Sequence, residues 1–145
     1  MSPEQKEKII KLLENNRFGV IATYPTELDR APESAVVAIS YTLNLEIVFG
    51  SFNTTRKNKN LERNSKISIV VGWDNTLKQT LQMEGEAFKI LGAERIKLEE
   101  AHCQRNIESN HFRNDQRQEY FKIKPYWIRY SDFSKDPQEV WENTL

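Results

Sequence analysis

Six apolar segments of strand length, most of them separated only by tight turns, restrict what this chain can fold into. They are RFGVIATYP (Arg17–Pro25), ESAVVAISYT (Glu33–Thr42), NLEIVFGSF (Asn44–Phe52), KISIVVGWD (Lys66–Asp74), QTLQMEGEAFKIL (Gln79–Leu91) and EYFKIKPYWIRYSDF (Glu119–Phe133). Short connections favour antiparallel neighbours, whereas alternating βαβ units need a long crossover between strands. The expected class is mainly β with flanking helices, a six-stranded antiparallel barrel.

Pro25 stops the first strand, TELDRAP forms a turn or hairpin loop, and a tight turn is expected near Thr42–Asn44. The fourth segment is almost continuously apolar over Ile67–Trp73, which predicts burial on both faces. Gly85 marks a bulge or sharp bend in the fifth, and Pro125 places that point of the sixth on an edge or bulge. A helix opens at Ser2, where SPEQ combines a capping serine, proline at the first helical position and glutamine at the third. Ile9, Leu12 and Leu13 give that helix an apolar face, and it ends near Asn15–Asn16. Gly92 to about Asn114 reads as polar and helical, with His102 and Cys103 on a solvated helix. The tail SKDPQEVWENTL either packs Trp141 against the body or forms a small terminal helix.

A chain of 145 residues suits one domain spanning 1–145. The formal net charge is zero, so the dense positive footprint of a general nucleic-acid binder is missing. The polar start MSPEQKEKII lacks a signal-peptide core, and no apolar run reaches membrane-spanning length. The single cysteine, Cys103, leaves no intrachain disulfide. These features predict a cytoplasmic protein without membrane or nucleic-acid partners.

One stretch breaks a local rule. SFNTTRKNKNLERN (Ser51–Asn64) reads as a short helix with N-cap types Thr54 and Thr55 and an inward Leu61. Arg56 and Lys57 fall at its start, where the helix dipole disfavours cations by ~0.3–1 kcal/mol each. Either an anion sits between the helix amides and these side chains, or the charges are solvated surface decoration.

Other chemistry is sparse. His102, Cys103 and His111 match no zinc spacing, so no metal is expected. Cys103 lacks an evident base, and no serine sits in a nucleophile-elbow context. Glu84 and Glu86 share a strand face, as exposed glutamates often do. No glycine-rich nucleotide fingerprint is present. Catalytic residues are therefore unassigned. An anion site without a protein-derived catalyst suggests a borrowed cofactor carrying a phosphate.

From about Arg17 to Phe133 the segments resemble, in order, the pyridoxamine 5′-phosphate oxidase-like, FMN-binding split-barrel family. The most specific piece is TRKNKNLERNSKISIVV, a threonine-arginine-lysine with leucine four residues after the lysine, followed by a new apolar strand. A second is the strand ending in EG within LQMEGEAF.

The resemblance implies a six-stranded antiparallel split barrel that forms a homodimer, with two FMN sites in clefts shared by both subunits. It implies that Thr55, Arg56 and Lys57 hold the phosphate. Gly50 and Ser51 correspond to the end of the strand before that loop, and Val36, Val37 and Ala38 to the strand running along the flavin ring. Thr80 and Gln82 correspond to the strand approaching the ring from another side. Trp127 and Arg129 lie where a partner subunit reaches the cofactor.

Against the vitamin B6 oxidases themselves, Ala35 stands where an arginine is expected, Ser40 where a lysine is, and Thr80 where a glutamine is. The arginine-rich C-terminal motif is also missing. The resemblance thus implies a member of the short subfamily, a flavin-dependent oxidoreductase of unspecified small-molecule substrate. The alternatives are a non-catalytic protein that stores or senses flavin or another ligand, and a member using haem or deazaflavin.

Overall fold

The computed structural model describes residues 1–74 and 76–145. Helix α1 (Pro3–Asn15) leads into strands β1 (Phe18–Thr23), β2 (Glu33–Tyr41) and β3 (Ile47–Phe52). Helix α2 (Arg56–Arg63), β4 (Lys66–Gly72) and β5 (Gln79–Lys89) follow. Helix α3 (Gly92–Arg105), a 3-10 helix (Ile107–Phe112), β6 (Gln118–Asp132) and β7 (Glu139–Thr144) complete the chain.

The strands pair in the order β3-β2-β1-β4-β5-β6-β7, and β3 also pairs with β6. This extra pairing closes six antiparallel strands into a barrel, with β7 added outside on β6. Alternating side chains fill the interior, including Ile21, Ile39, Ile47, Phe49, Leu81 and Ile123, all fully buried. Phe49 stacks on Phe121 with ring centroids 5.5 Å apart.

The capping box at Ser2 forms as expected, with Gln5 and Ser2 bonding reciprocally. Ile9, Leu12 and Leu13 carry α1 into the core. Arg105, at the end of α3, ties the first helix down by donating to the carbonyls of Leu13, Glu14 and Asn16. These carbonyls lie at the helix end, where i→i+4 partners run out; the Leu13 carbonyl also accepts from the Asn16 amide at 3.3 Å.

Gly85 and Pro125 meet at one irregularity. The β5–β6 register shifts between Glu84 and Gly85, so Glu84 faces Trp127 while Gly85 faces Pro125. A Cβ on Gly85 would lie 2.4 Å from the carbonyl oxygen of Lys124, so only glycine permits this approach.

Two expectations are corrected, and one of the two alternatives for the tail is realised. Strand β4 is not buried on both faces: inward residues alternate with Lys66, Ser68 and Val70, which are exposed. β-Branched residues suit either face of a strand, so apolar character alone could not tell them apart. Of the two alternatives for the tail, packing of Trp141 against the body is the one realised: the tail forms a seventh strand on β6, and Trp141 stacks on Tyr130 at 5.0 Å. The 92–114 segment breaks after Arg105, and His102 and Cys103 are buried on the inner face of α3 instead of solvated.

His102 lies 3.0 Å through Nδ1 from Ser40 Oγ and meets the Tyr120 ring edge-on. Burial, followed by the neighbouring Arg105 guanidinium, lowers its pKa from 6.5 to about 4. The folded protein therefore favours neutral His102, while the unfolded chain takes up its proton at higher pH. Stability from this group is complete above pH ~6.5 and is lost as pH falls through the folded value. We expect a loss of about 2 kcal/mol by pH 5 from this group. Chemical unfolding at pH 7 and pH 5 checks it: the decline should flatten in His102→Gln, and an equal decline in both proteins would refute the assignment.

Candidate functional site

Strand β2 leaves β3 early. The ladder between them includes only Ile39, Ser40 and Tyr41, the first of these opposite Phe49. On its other side, β2 pairs with β1 along its length, and the Ile39 amide donates to the Arg17 carbonyl at 2.8 Å. Antiparallel hydrogen-bonded pairs alternate, so Val37 and Ala35 bond toward β1. The main-chain groups of Ser34 and Val36 face the opposite way, into a gap where β3 no longer pairs, while Ala38 flanks the last rung. Gly50 and Ser51 follow the last rung on the β3 side of this split.

Helix α2 starts beside this gap. Its first turn contains no acid, and no side chain caps its N-terminus. Thr55, the N-cap residue, instead donates through Oγ1 to the Phe52 carbonyl at 2.8 Å and lies 3.0 Å from Ser51 Oγ. A helix start ordinarily presents amides without intrahelical partners, and here a suitable capping residue leaves them open. Lys57 is half-buried, and burial lowers its pKa from the usual lysine value. Among the described residues Lys57 makes no ion pair, whereas Arg56 pairs with Glu33 at 3.1 Å.

Thr55, Arg56 and Lys57 line a pocket of about 180 Å³ with Thr23, Glu33, Ser34 and Ala35. Asn60, one turn further along α2, donates through Nδ2 to both Thr23 Oγ1 and Glu33 Oε2 at 2.9 Å. Thr23, Glu33, Ser34 and Asn60 escaped the sequence reading. Glu33 and Asn60 are far apart in the chain, and only the placement of α2 over the β1–β2 end unites them.

The remaining candidates do not join this pocket within one chain. Val36 points outward and is exposed, Val37 points into the core, and Ala38 is half-buried. Thr80, the second residue of β5, lies opposite Gly72 and Ser131. Gln82 lies between Val70 and Arg129, and Trp127 between Glu84 and Thr144. Arg129 pairs with Glu142 at 2.7 Å. Strands β1 and β4 lie between β2 and β5, and Thr80, Gln82, Trp127 and Arg129 are not among the residues lining the α2 pocket.

The arrangement fits a planar ligand carrying a phosphate. The free main-chain edge of β2 offers donors and acceptors to a ring, while the α2 amides and Lys57 suit an anion. Neither histidine lines the pocket, and no group of three potential metal ligands occurs among the described residues. Among the described residues, no helix is long and apolar enough to cross a membrane.

No curated protein matches the chain. Solved structures do. General stress protein 26 from Bacillus anthracis str. Sterne has a TM-score of 0.75 at 20% identity, over 98% of this chain and 99% of that one. A pyridoxamine 5′-phosphate oxidase-related, FMN-binding protein from Nostoc punctiforme PCC 73102 has a TM-score of 0.69 at 13% identity, over 100% and 98%. A heme-binding protein from Mycobacterium smegmatis has a TM-score of 0.82 at 17% identity, over 99% of this chain but 59% of that one. At these identities the likeness shows the fold. The family model for pyridoxamine 5′-phosphate oxidase matches residues 5–132, nearly the whole barrel, and by that match this chain belongs to the pyridoxamine 5′-phosphate oxidase family.

Proposed function

We propose that this chain is an FMN-binding flavoprotein of the cytoplasm that works as a homodimer, and that it is a flavin-dependent oxidoreductase. The observation that carries the reading is the conjunction at the split: an unpaired β2 edge beside an uncapped helix start with Lys57 at its mouth. In this reading Thr55, Arg56, Lys57 and the α2 amides hold the phosphate. The main chain at Val36, Val37 and Ala38, with Gly50 and Ser51 across the gap, borders the ring. Thr80, Gln82, Trp127 and Arg129 come from the partner. When bound, the flavin supplies the electron-transfer chemistry, while the protein orients it and excludes water. A haem reading, which the Mycobacterium smegmatis neighbour raises, needs an axial ligand. His102 is committed to Ser40 on the inner face of α3, away from the pocket.

The outer face of β2, β1 and β4 supports the dimer. Val36 lies opposite Val20, and Val20 opposite Val70, with Phe18 beside them. All four are between 42 and 68% exposed in the single chain. A contiguous apolar patch on a sheet face calls for a partner, and a second copy would cover it and complete the site. The purified protein should gain bound-flavin absorbance with FMN and sediment at twice the chain mass. Val20→Asp should shift it toward monomer and weaken FMN binding in step. A wild-type monomer at micromolar concentration would overturn the shared site, and absence of flavin binding would overturn the cofactor. Reduction of bound flavin by NADH or NADPH would favour turnover; inertness to both would favour storage or sensing.

A further inference from the structure

The pocket already contains an anion of the chain's own. Glu33 opens β2 and turns toward α2, leaving its side chain only 12% exposed. Arg56 reaches its Oε1 at 3.1 Å from α2, and Arg30 reaches the same oxygen at 3.2 Å from the loop between β1 and β2. Asn60 holds the other oxygen. The arginines are far more exposed, at 67% for Arg56 and 44% for Arg30. The carboxylate is therefore the fixed member of this group. It must remain paired, since a nearly buried charge without a partner is strongly unfavourable, whereas an exposed arginine is loosely held.

Resting on the phosphate reading above, we infer that Glu33 is the resting partner of Arg56 and that Arg30 is its relief. When a phosphate enters, Arg56 turns from Glu33 to the ligand, and Arg30 and Asn60 keep Glu33 compensated. One charge-assisted hydrogen bond breaks and one of the same kind forms, with no proton transferred. Glu33 thereby limits phosphate affinity, both by competing for Arg56 and by repelling a dianion. The loop carrying Arg30 is coupled to ligand binding through the same carboxylate. A ligand without phosphate has nothing to draw Arg56 away and should not respond.

The test is a double-mutant cycle of Glu33→Gln and Arg30→Ala, titrated with FMN and with riboflavin. Glu33→Gln should tighten FMN binding about tenfold, the scale of one hydrogen bond to a charged group. Arg30→Ala should weaken it by about the same factor, because Glu33 then keeps Arg56. That loss should vanish in the double variant, and riboflavin affinity should be equal in all four proteins. The inference is overturned if Glu33→Gln weakens FMN binding or leaves it unchanged, or if the Arg30→Ala loss persists in the double variant. If Glu33→Gln fails to fold, Arg30→Lys decides instead: it should restore the affinity that Arg30→Ala loses, and failure to do so overturns the exchange. If wild type and variants all ignore both flavins, the flavin reading falls by itself. The same proteins are then titrated with inorganic phosphate by phosphorus NMR. The same order of affinities is expected there, and equal affinities would overturn the exchange.

Discussion

Replacing Lys57 by alanine is expected to weaken FMN binding roughly 10- to 150-fold, the equivalent of ~1.5–3 kcal/mol for a hydrogen bond to a charged group. The ammonium sits half-buried at the mouth of the α2 pocket, and burial already disfavours its charge. A phosphate placed there returns the lost solvation and accepts from the uncapped helix start as well. Removing the cation should leave apo stability unchanged or slightly raised, since a positive charge leaves the positive end of the helix dipole. Riboflavin lacks the phosphate; it should bind wild type weakly and be indifferent to the change. Lys59→Ala is the control, because Lys59 is exposed, outside the residues lining the pocket, and further along the helix. Fluorescence-quenching titrations of both flavins decide the matter. Equal FMN affinities for Lys57→Ala and wild type, or equal losses for both flavins, would remove the phosphate from this pocket.

Phe49→Ala should destabilise the fold by about 3–5 kcal/mol, the range for a buried aromatic truncated to alanine. Phe49 is fully buried and stacks on Phe121, and it occupies the last rung before β2 and β3 part. Its removal strips packing from the interior at the place where the barrel opens toward the candidate site. For a chain of this size the midpoint should fall by roughly 10–15 °C. Melting is to be compared at one protomer concentration, because dimerisation makes the midpoint concentration-dependent. A loss below about 1 kcal/mol would mean that the ring lies outside a close-packed interior. The two variants also separate two kinds of failure. Phe49→Ala should reduce FMN and riboflavin binding together through loss of fold, whereas Lys57→Ala should discriminate between them.

Much of the architecture was legible because it is written in local chemistry. Ser2, Pro3 and Gln5 specify a helix start by hydrogen bonds confined to one turn, and the capping box forms. Alternation marks the strands, short turns make them antiparallel, and Gly85 with Pro125 marks the bulge in β5 and β6. Arg56 and Lys57 at a helix start contradict a local rule, and both line a pocket at the β1–β2 end. Other features depended on what packs against a segment. Ile67 and Val70 are similarly apolar, yet the first is core and the second is outer surface, because only barrel closure distinguishes the two sides of β4. His102 and Cys103 read as solvated residues until α3 lies on the sheet and buries them. Glu33 carried no signal at all: nothing near the start of β2 announces that Arg30, Arg56 and Asn60 converge on one carboxylate. Local sequence thus determined α1, the six barrel strands, their antiparallel pairing and the cation-rich helix start. Tertiary structure alone decided which sheet face is covered, where β2 and β3 part, and which distant charge faces Arg56. Those are properties of contacts between segments remote in the chain, whose free energy exists only once the barrel has closed.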